Sequence, residues 1–122
     1  MSASIESLVK EIVSLADQKK AFDIRVYQPH DNSLTDFIIV ASVQNPIHAK
    51  SMIRDIEGGI KDYLSTHSGN AFHPHPKQSG SSESGWMILD ENSVIVHVVS
   101  EIVRETYQLD QLFEQRAVIY HI

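Results

Sequence analysis

Residues able to do chemistry gather late in the chain, in the run from Trp86 to Phe113, WMILDENSVIVHVVSEIVRETYQLDQLF. Within this mostly apolar stretch stand Trp86, Asp90, His97, Arg104, Tyr107 and Asp110. A polar group taken out of water needs a partner. Each of these is therefore either paired inside the fold or presented to something outside it. His97 shares a strand face with Ile95 and Val99, with Asp90, Arg104 and Tyr107 as candidate partners. Asp90 ends an apolar strand just before a turn, where a carboxylate suits a cap on the turn backbone. Trp86 opens that strand beside a Gly- and Ser-rich loop. It is either an anchor under the loop or an interface hot spot, because Trp and Tyr concentrate binding energy. Tyr107, Leu109 and Phe113 have the spacing of a core face, but Asp90, Glu91, Glu105 and Asp110 lie among them. An apolar patch rimmed by carboxylates would suit a basic protein surface.

Other chemistries find less support. There is no Gly-rich phosphate loop of the Walker or Rossmann type. GSSESG, residues 80–85, lacks the spacing of a nucleophile elbow. His73-Pro74-His75, with His67 upstream, puts imidazoles close together, but no second spaced pair completes a tetrahedral zinc site. Asp-x-Asp is absent, and Asp55 and Glu57 fall two apart in a helix, on different faces. Metal-dependent phosphoryl transfer is thus disfavoured, and no cofactor or metal is implied.

The elements that must position the late run are legible from periodicity. Ile5, Leu8, Val9, Ile12, Leu15 and Ala16 mark an amphipathic helix over 4–17, with Ser4 as N-cap. FDIRVY, residues 22–27, alternates as a strand with Phe22, Ile24 and Val26 inward. DFIIVAS, 36–42, reads as a strand buried on both faces. Asn45-Pro46 starts a helix as N-cap and first residue, running to about Leu64. Gly58-Gly59 inside it implies close packing against a strand or a mild kink. Residues 67–85 form a long loop, and MILD and VIVHVV form a hairpin about Glu91-Asn92-Ser93. Ser100 caps a helix through about Tyr107, and the tail AVIYHI is apolar enough to dock or form a short strand. The order is α-β-β-α-β-β-α. The expected fold is an α/β single domain over 1–122, a mixed β-sheet with helices packed on it, with a parallel crossover spanning 36–90.

Composition agrees. The 122 residues are 42% hydrophobic and 21% charged, ordinary for one globular domain. The absence of cysteine excludes disulfides and thiolate metal sites and fits a reducing, cytoplasmic setting. No apolar run reaches the ~20 residues of a membrane span, and the start lacks the pattern of a signal peptide. The net charge of −6 and scattered Lys and Arg argue against direct nucleic-acid binding. A basic protein partner is electrostatically easier.

The late run resembles the ribosomal silencing factor family (RsfS, Iojap-like). The resemblance rests on Trp86, Asp90, the VIVHV run, Arg104, Tyr107, Leu109, Asp110, Leu112 and Phe113. Upstream, Ser33, Thr35, Asp36 and Phe37 match the family's approach to a strand, and His48, Ala49 and Ile53 its following helix. The match covers about residues 5–113, while Glu91, Asn92, Asp110 and Phe113 depart from the family's usual residues. The resemblance implies a nucleotidyltransferase-like α/β domain without that fold's catalytic carboxylates. It also implies a non-enzymatic role: binding large-subunit ribosomal protein fourteen, blocking subunit joining and lowering translation when nutrients are scarce. The expected contact residues are Trp86, Met87, Asp90, Tyr107, Leu109, Asp110 and Phe113, with Asp36, His97 and Arg104 as structural support. The rival expectations are residual nucleotidyltransferase-like chemistry and a homodimeric adaptor that turns the same patch on itself.

Overall fold

The computed structural model describes residues 5–29, 36–67, 76–114 and 117–121. The expected N-cap Ser4, the His73 and His75 pair and most of the turn after Pro29 lie outside them. Six strands form one mixed sheet in the order β3-β4-β5-β2-β1-β6. They are β1 (Phe22–Pro29), β2 (Phe37–Val43), β3 (Lys77–Ser81), β4 (Trp86–Asp90), β5 (Val94–Ser100) and β6 (Ala117–His121). The helices are α1 (Ile5–Gln18), α2 (Pro46–His67), α3 (Glu101–Thr106) and α4 (Leu109–Glu114).

The strand β2 is buried at all seven positions because it is central. It pairs antiparallel with β1 and parallel with β5, Phe37 opposite Val94 through Val43 opposite Ser100. The parallel partner is thus β5, not the first hairpin strand as the 36–90 crossover implied. β4 lies antiparallel on the far side of β5. A second departure is β3, which falls inside the expected loop 67–85. Lys-Gln-Ser-Gly-Ser carries no apolar residue, and all but its last position are exposed, so no periodicity announces it. It is a polar edge strand held by its ladder with β4, and such edges are blunted by charge rather than marked by hydrophobicity. The tail also forms a strand, β6, along β1.

Each face of the sheet has its own core. On one face Leu8, Val9, Ile12, Val13 and Ala16 of α1 meet Met52, Ile53, Ile56 and Ile60 of α2 above Ile24, Val26, Ile39, Leu89, Val96 and Val98. Asn45 caps α2 as expected, its Oδ1 accepting from the His48 N–H at 2.8 Å. The opposite face holds a smaller core of Tyr27, Ile38, Val40, Val99, Leu109 and Phe113. Alternation along β1 had placed Tyr27 on the outward face. It is fully buried, because α3 and α4 cover that face.

The glycine pair separates on inspection. A side chain on Gly59 would meet Leu15 Cδ1 at 2.2 Å, so Gly59 serves the close approach of α1 to α2 rather than to a strand. Gly58 faces open space. A Gly58→Ala variant should gain about 0.5–1 kcal/mol from helix propensity alone. Gly59→Ala should gain less, because Leu15 must swing aside. Parallel urea unfolding of the two variants checks the difference.

Candidate functional site

The second core is organised by a buried guanidinium. Arg104, in the last turn of α3, is 5% exposed. Its Nε donates to Asp110 Oδ2 at 2.7 Å and its Nη2 to Asp110 Oδ1 at 3.0 Å. Its Nη1 donates to the Asp23 carbonyl at 2.7 Å and to Ser42 Oγ at 2.8 Å. One side chain therefore ties α3 to α4, β1 and β2. A bulge in β1 helps present the Asp23 carbonyl. The pairing with β2 slips between Phe22 and Arg25, and Asp23 takes a φ of 50°, a left-handed conformation that Asp tolerates better than most residues.

Asp110 also accepts a short hydrogen bond from the Tyr27 hydroxyl, and Arg25 Nη1 stands 3.9 Å away. Burial works against the Asp110 charge, but the bonds from Arg104 and Tyr27 and the two arginine charges outweigh it. Its pKa is lowered. Burial, together with the bond to Asp110, raises that of Tyr27 and keeps the phenol protonated.

A chain of rings leads from this pair to the surface. Tyr27 and Phe113 lie 5.7 Å apart, Phe113 and His97 5.1 Å, His97 and Trp86 6.1 Å, and Trp86 and Tyr107 5.5 Å. Trp86 Nε1 donates to His97 Nδ1 at 3.0 Å. His97 is buried, and burial pushes its pKa down to about 4. Its ring is thus neutral at pH 7, as an acceptor on Nδ1 requires. Trp86 is set by the turn before it. The Ser100 N–H donates to the Gly85 carbonyl at 2.8 Å, and Gly85 has a φ of 80° with Ser100 and Val103 too close for a side chain.

The helices end where the surface begins. Ser100 caps α3 as expected, its Oγ accepting from the Val103 N–H at 3.2 Å. α3 stops at Thr106, and Gln108 adopts a φ of 50° before α4 starts. The core face expected of Tyr107, Leu109 and Phe113 is broken there. The break leaves Tyr107 62% exposed and turns Leu109 and Phe113 inward.

Of the seven expected contact residues, three are core. Leu109 and Phe113 are buried under α4, and Met87 points into the α1–α2 core. Strand alternation puts Met87 and Leu89 on one face and Trp86, Ile88 and Asp90 on the other. Asp90 is half-buried and accepts the Asn92 N–H at 2.8 Å, which caps the hairpin turn. Asp110 is held by Arg104. Trp86 and Tyr107 remain at the surface. Two further apolar side chains are exposed, Ile102 at 78% and Leu112 at 53%; the sequence reading named Leu112 only within the family resemblance and did not single out Ile102. Their signal lay in position: on these short helices the buried places go to Arg104, Leu109 and Phe113, which leaves both outside. Between Ser100 and Glu114 stand four carboxylates and one arginine, and that arginine is buried. Glu101, Glu105 and Glu114 are exposed. The α3–α4 segment thus exposes Ile102, Tyr107 and Leu112 together with Glu101, Glu105 and Glu114, the last of these 3.6 Å from Arg25 Nη1 of β1.

Asp36 supports the sheet through its backbone, its N–H donating to the Ser93 carbonyl at 2.8 Å. Among the described residues no three metal-ligating side chains converge, and no helix is long and apolar enough to cross a membrane.

The sequence pattern of the family described as "Ribosomal silencing factor during starvation" matches residues 2–121. The chain belongs to that family. It is 30% identical to the mouse "Mitochondrial assembly of ribosomal large subunit protein 1" over 107 residues, 87% of this chain and 45% of the mouse protein. It is 28% identical to the Treponema pallidum "Ribosomal silencing factor RsfS" over 82 residues, 65% of this chain and 64% of that protein. It therefore spans roughly half to two-thirds of the length of these relatives. The fold is shared with a crystal structure from Chromobacterium violaceum, at a TM-score of 0.72 and 19% identity over 92% of this chain and 88% of that one. A structure from Bacillus halodurans follows at 0.67 and 20%, over 88% and 93%.

Two outcomes follow from the geometry. Arg104→Met should cost about 3–5 kcal/mol, the usual effect of breaking a buried pair from one side. A cycle with Asp110→Asn should give a coupling above about 1 kcal/mol in chemical denaturation. The second concerns pH. The folded chain resists a proton at His97 until about pH 4, while the unfolded chain accepts one near the ordinary value of 6.5. The stability is complete above 6.5 and should fall by up to about 3 kcal/mol as the pH drops toward 4. His97→Asn should flatten the urea midpoint between pH 7 and pH 5, a range in which Asp110 stays ionised.

Proposed function

We propose that this chain is a ribosome-binding repressor of translation that works by steric exclusion and not by catalysis, acting in the cytoplasm. Its face bearing Trp86, Ile102, Tyr107 and Leu112 would dock on large-subunit ribosomal protein fourteen and prevent the small subunit from joining. Family membership supports a ribosome-associated role, since the relatives are named for ribosome silencing and for assembly of the large ribosomal subunit. The observation that carries the reading is the pairing of Trp86 with the exposed Tyr107 at the α3–α4 junction, two helices that expose Glu101, Glu105 and Glu114 and no arginine or lysine.

The physical logic is that of a hot spot. Trp and Tyr bury large area with few rotatable bonds, and an acidic rim orients and accelerates encounter with a basic partner. Steric exclusion demands only that the patch bind tightly and that the body of the domain occupy the joining face. It needs neither metal nor nucleophile. Asp110, Leu109 and Phe113 take part indirectly, by holding α4 and its exposed Leu112 on the sheet.

Sucrose-gradient sedimentation with separated ribosomal subunits tests the reading. The wild-type chain should travel with the large subunit alone and should reduce joined ribosomes when small subunits are added. Trp86→Glu and Tyr107→Glu, each confirmed as folded, should weaken binding about thirtyfold or more, the loss of one hot-spot residue. Wild-type binding by a folded Trp86→Glu chain would remove the patch from the mechanism.

A further inference from the structure

We infer that His97 is the positioning residue of the docking face: through Nδ1 it accepts the Trp86 indole N–H and fixes the ring that a partner would meet beside Tyr107. The inference rests on the docking reading above and assigns to a buried histidine a task beyond filling the core.

The geometry is specific. Trp86 is the only tryptophan of the chain, and its one described side-chain hydrogen bond is the 3.0 Å contact to His97. The imidazole cannot move freely to follow it. Its ring lies 5.1 Å from that of Phe113 on α4. Its strand neighbours are Ile88 on β4 and Val40 on β2. The Tyr107 ring also lies 5.5 Å from the indole and is open to solvent. Trp86 thus contacts a buried acceptor, His97, and an exposed ring, Tyr107. An indole held in one rotamer binds with less entropy loss than one that must be ordered on contact.

The direction of the bond sets the chemical requirement. An indole N–H only donates, so Nδ1 must offer its lone pair and the imidazole proton must sit on Nε2. A protonated imidazole has no lone pair and cannot hold Trp86. The buried and half-buried ionisable groups named on the surrounding elements are engaged, while Glu101 and Glu105 of α3 and Glu114 of α4 are exposed to solvent. Arg104 of α3 and Asp110 of α4 bind each other, Tyr27 of β1 binds Asp110, and Asp90 of β4 caps its turn. Burial alone accounts for the low proton affinity of the ring. Neutrality at His97 is therefore built in by packing rather than by a charged neighbour.

The lone tryptophan makes the test direct. Fluorescence emission and anisotropy of the free chain, and exchange of its single indole N–H in NMR, report Trp86 without any partner present. Three chains are compared at neutral pH: wild type, His97→Leu with no acceptor, and His97→Asn, whose Oδ1 stands near the position of Nδ1. The expected result is a more mobile, red-shifted Trp86 with faster indole exchange in His97→Leu, and recovery toward wild type in His97→Asn. Large-subunit binding should follow the same order, falling about tenfold or more in His97→Leu. If His97→Leu does not fold, His97→Asn and an acid titration of the wild type carry the test, since only the wild type should release Trp86 as the pH falls. Equal Trp86 signals in all folded chains would overturn the inference while leaving the docking reading intact. Wild-type subunit binding by a folded Trp86→Ala chain would overturn the docking reading, and with it any docking task for His97.

Discussion

The fork between Arg104 and Asp110 is the interaction on which the rest of this domain depends. The two residues are six apart, on helices of six residues each. Helices that short do not hold themselves together in water. What holds them is a guanidinium that spends its donors on Asp110, the Asp23 carbonyl and Ser42. A buried charge pair gains little net free energy over an apolar one, because desolvation offsets most of the attraction. Its contribution is geometric. A planar fork fits a carboxylate in one orientation, so α4 can lie on the sheet in only one way.

From that orientation the second face of the sheet follows. With α4 fixed, Leu109 and Phe113 cover Tyr27, and Phe113 closes over His97. His97, made neutral by that cover, can accept the Trp86 indole. Removing the pair would therefore loosen the ring chain from its buried end outward, without touching the larger core that α1 and α2 build on the opposite face. The two cores differ in kind. The first is aliphatic and sets the fold; the second is aromatic and polar, and sets which side chains reach the surface.

The same division decides how much was legible in the sequence. Aliphatic periodicity made α1, β2, α2 and the β4–β5 hairpin readable, and Asn45, Pro46 and Ser100 marked helix starts through local chemistry. β3 had no such mark, since a polar edge strand is stabilised by its neighbour's backbone rather than by its own side chains. Tyr27 was misplaced for a related reason: alternation tells inward from outward only when one face of a sheet is bare. At the site, the late run singled out Trp86, His97, Arg104, Tyr107 and Asp110, which the fold links in two contact groups, but not their directions. Asp110, Leu109 and Phe113 face inward because Arg104 draws them there, over contacts to Asp23 and Ser42 that lie 81 and 62 residues away in sequence. Strand parity would have placed Met87 opposite Trp86. No local pattern, in contrast, announces the left-handed Gln108 that exposes Tyr107.

That break also explains how the domain can carry the proposed docking patch without losing stability to it. Exposed aromatic surface is an aggregation hazard when it is broad and flat. Here Tyr107 is one ring at a helix junction, Trp86 is half-covered and hydrogen-bonded from beneath, and Ile102 and Leu112 are set among Glu101, Glu105 and Glu114. Like charges on the rim oppose the stacking of one copy on another, while the same carboxylates attract a basic surface. A partner that brings lysine or arginine to this face turns the rim from a barrier into a contact. The discrimination between self and partner is then electrostatic, and the area to be buried is the same in both cases.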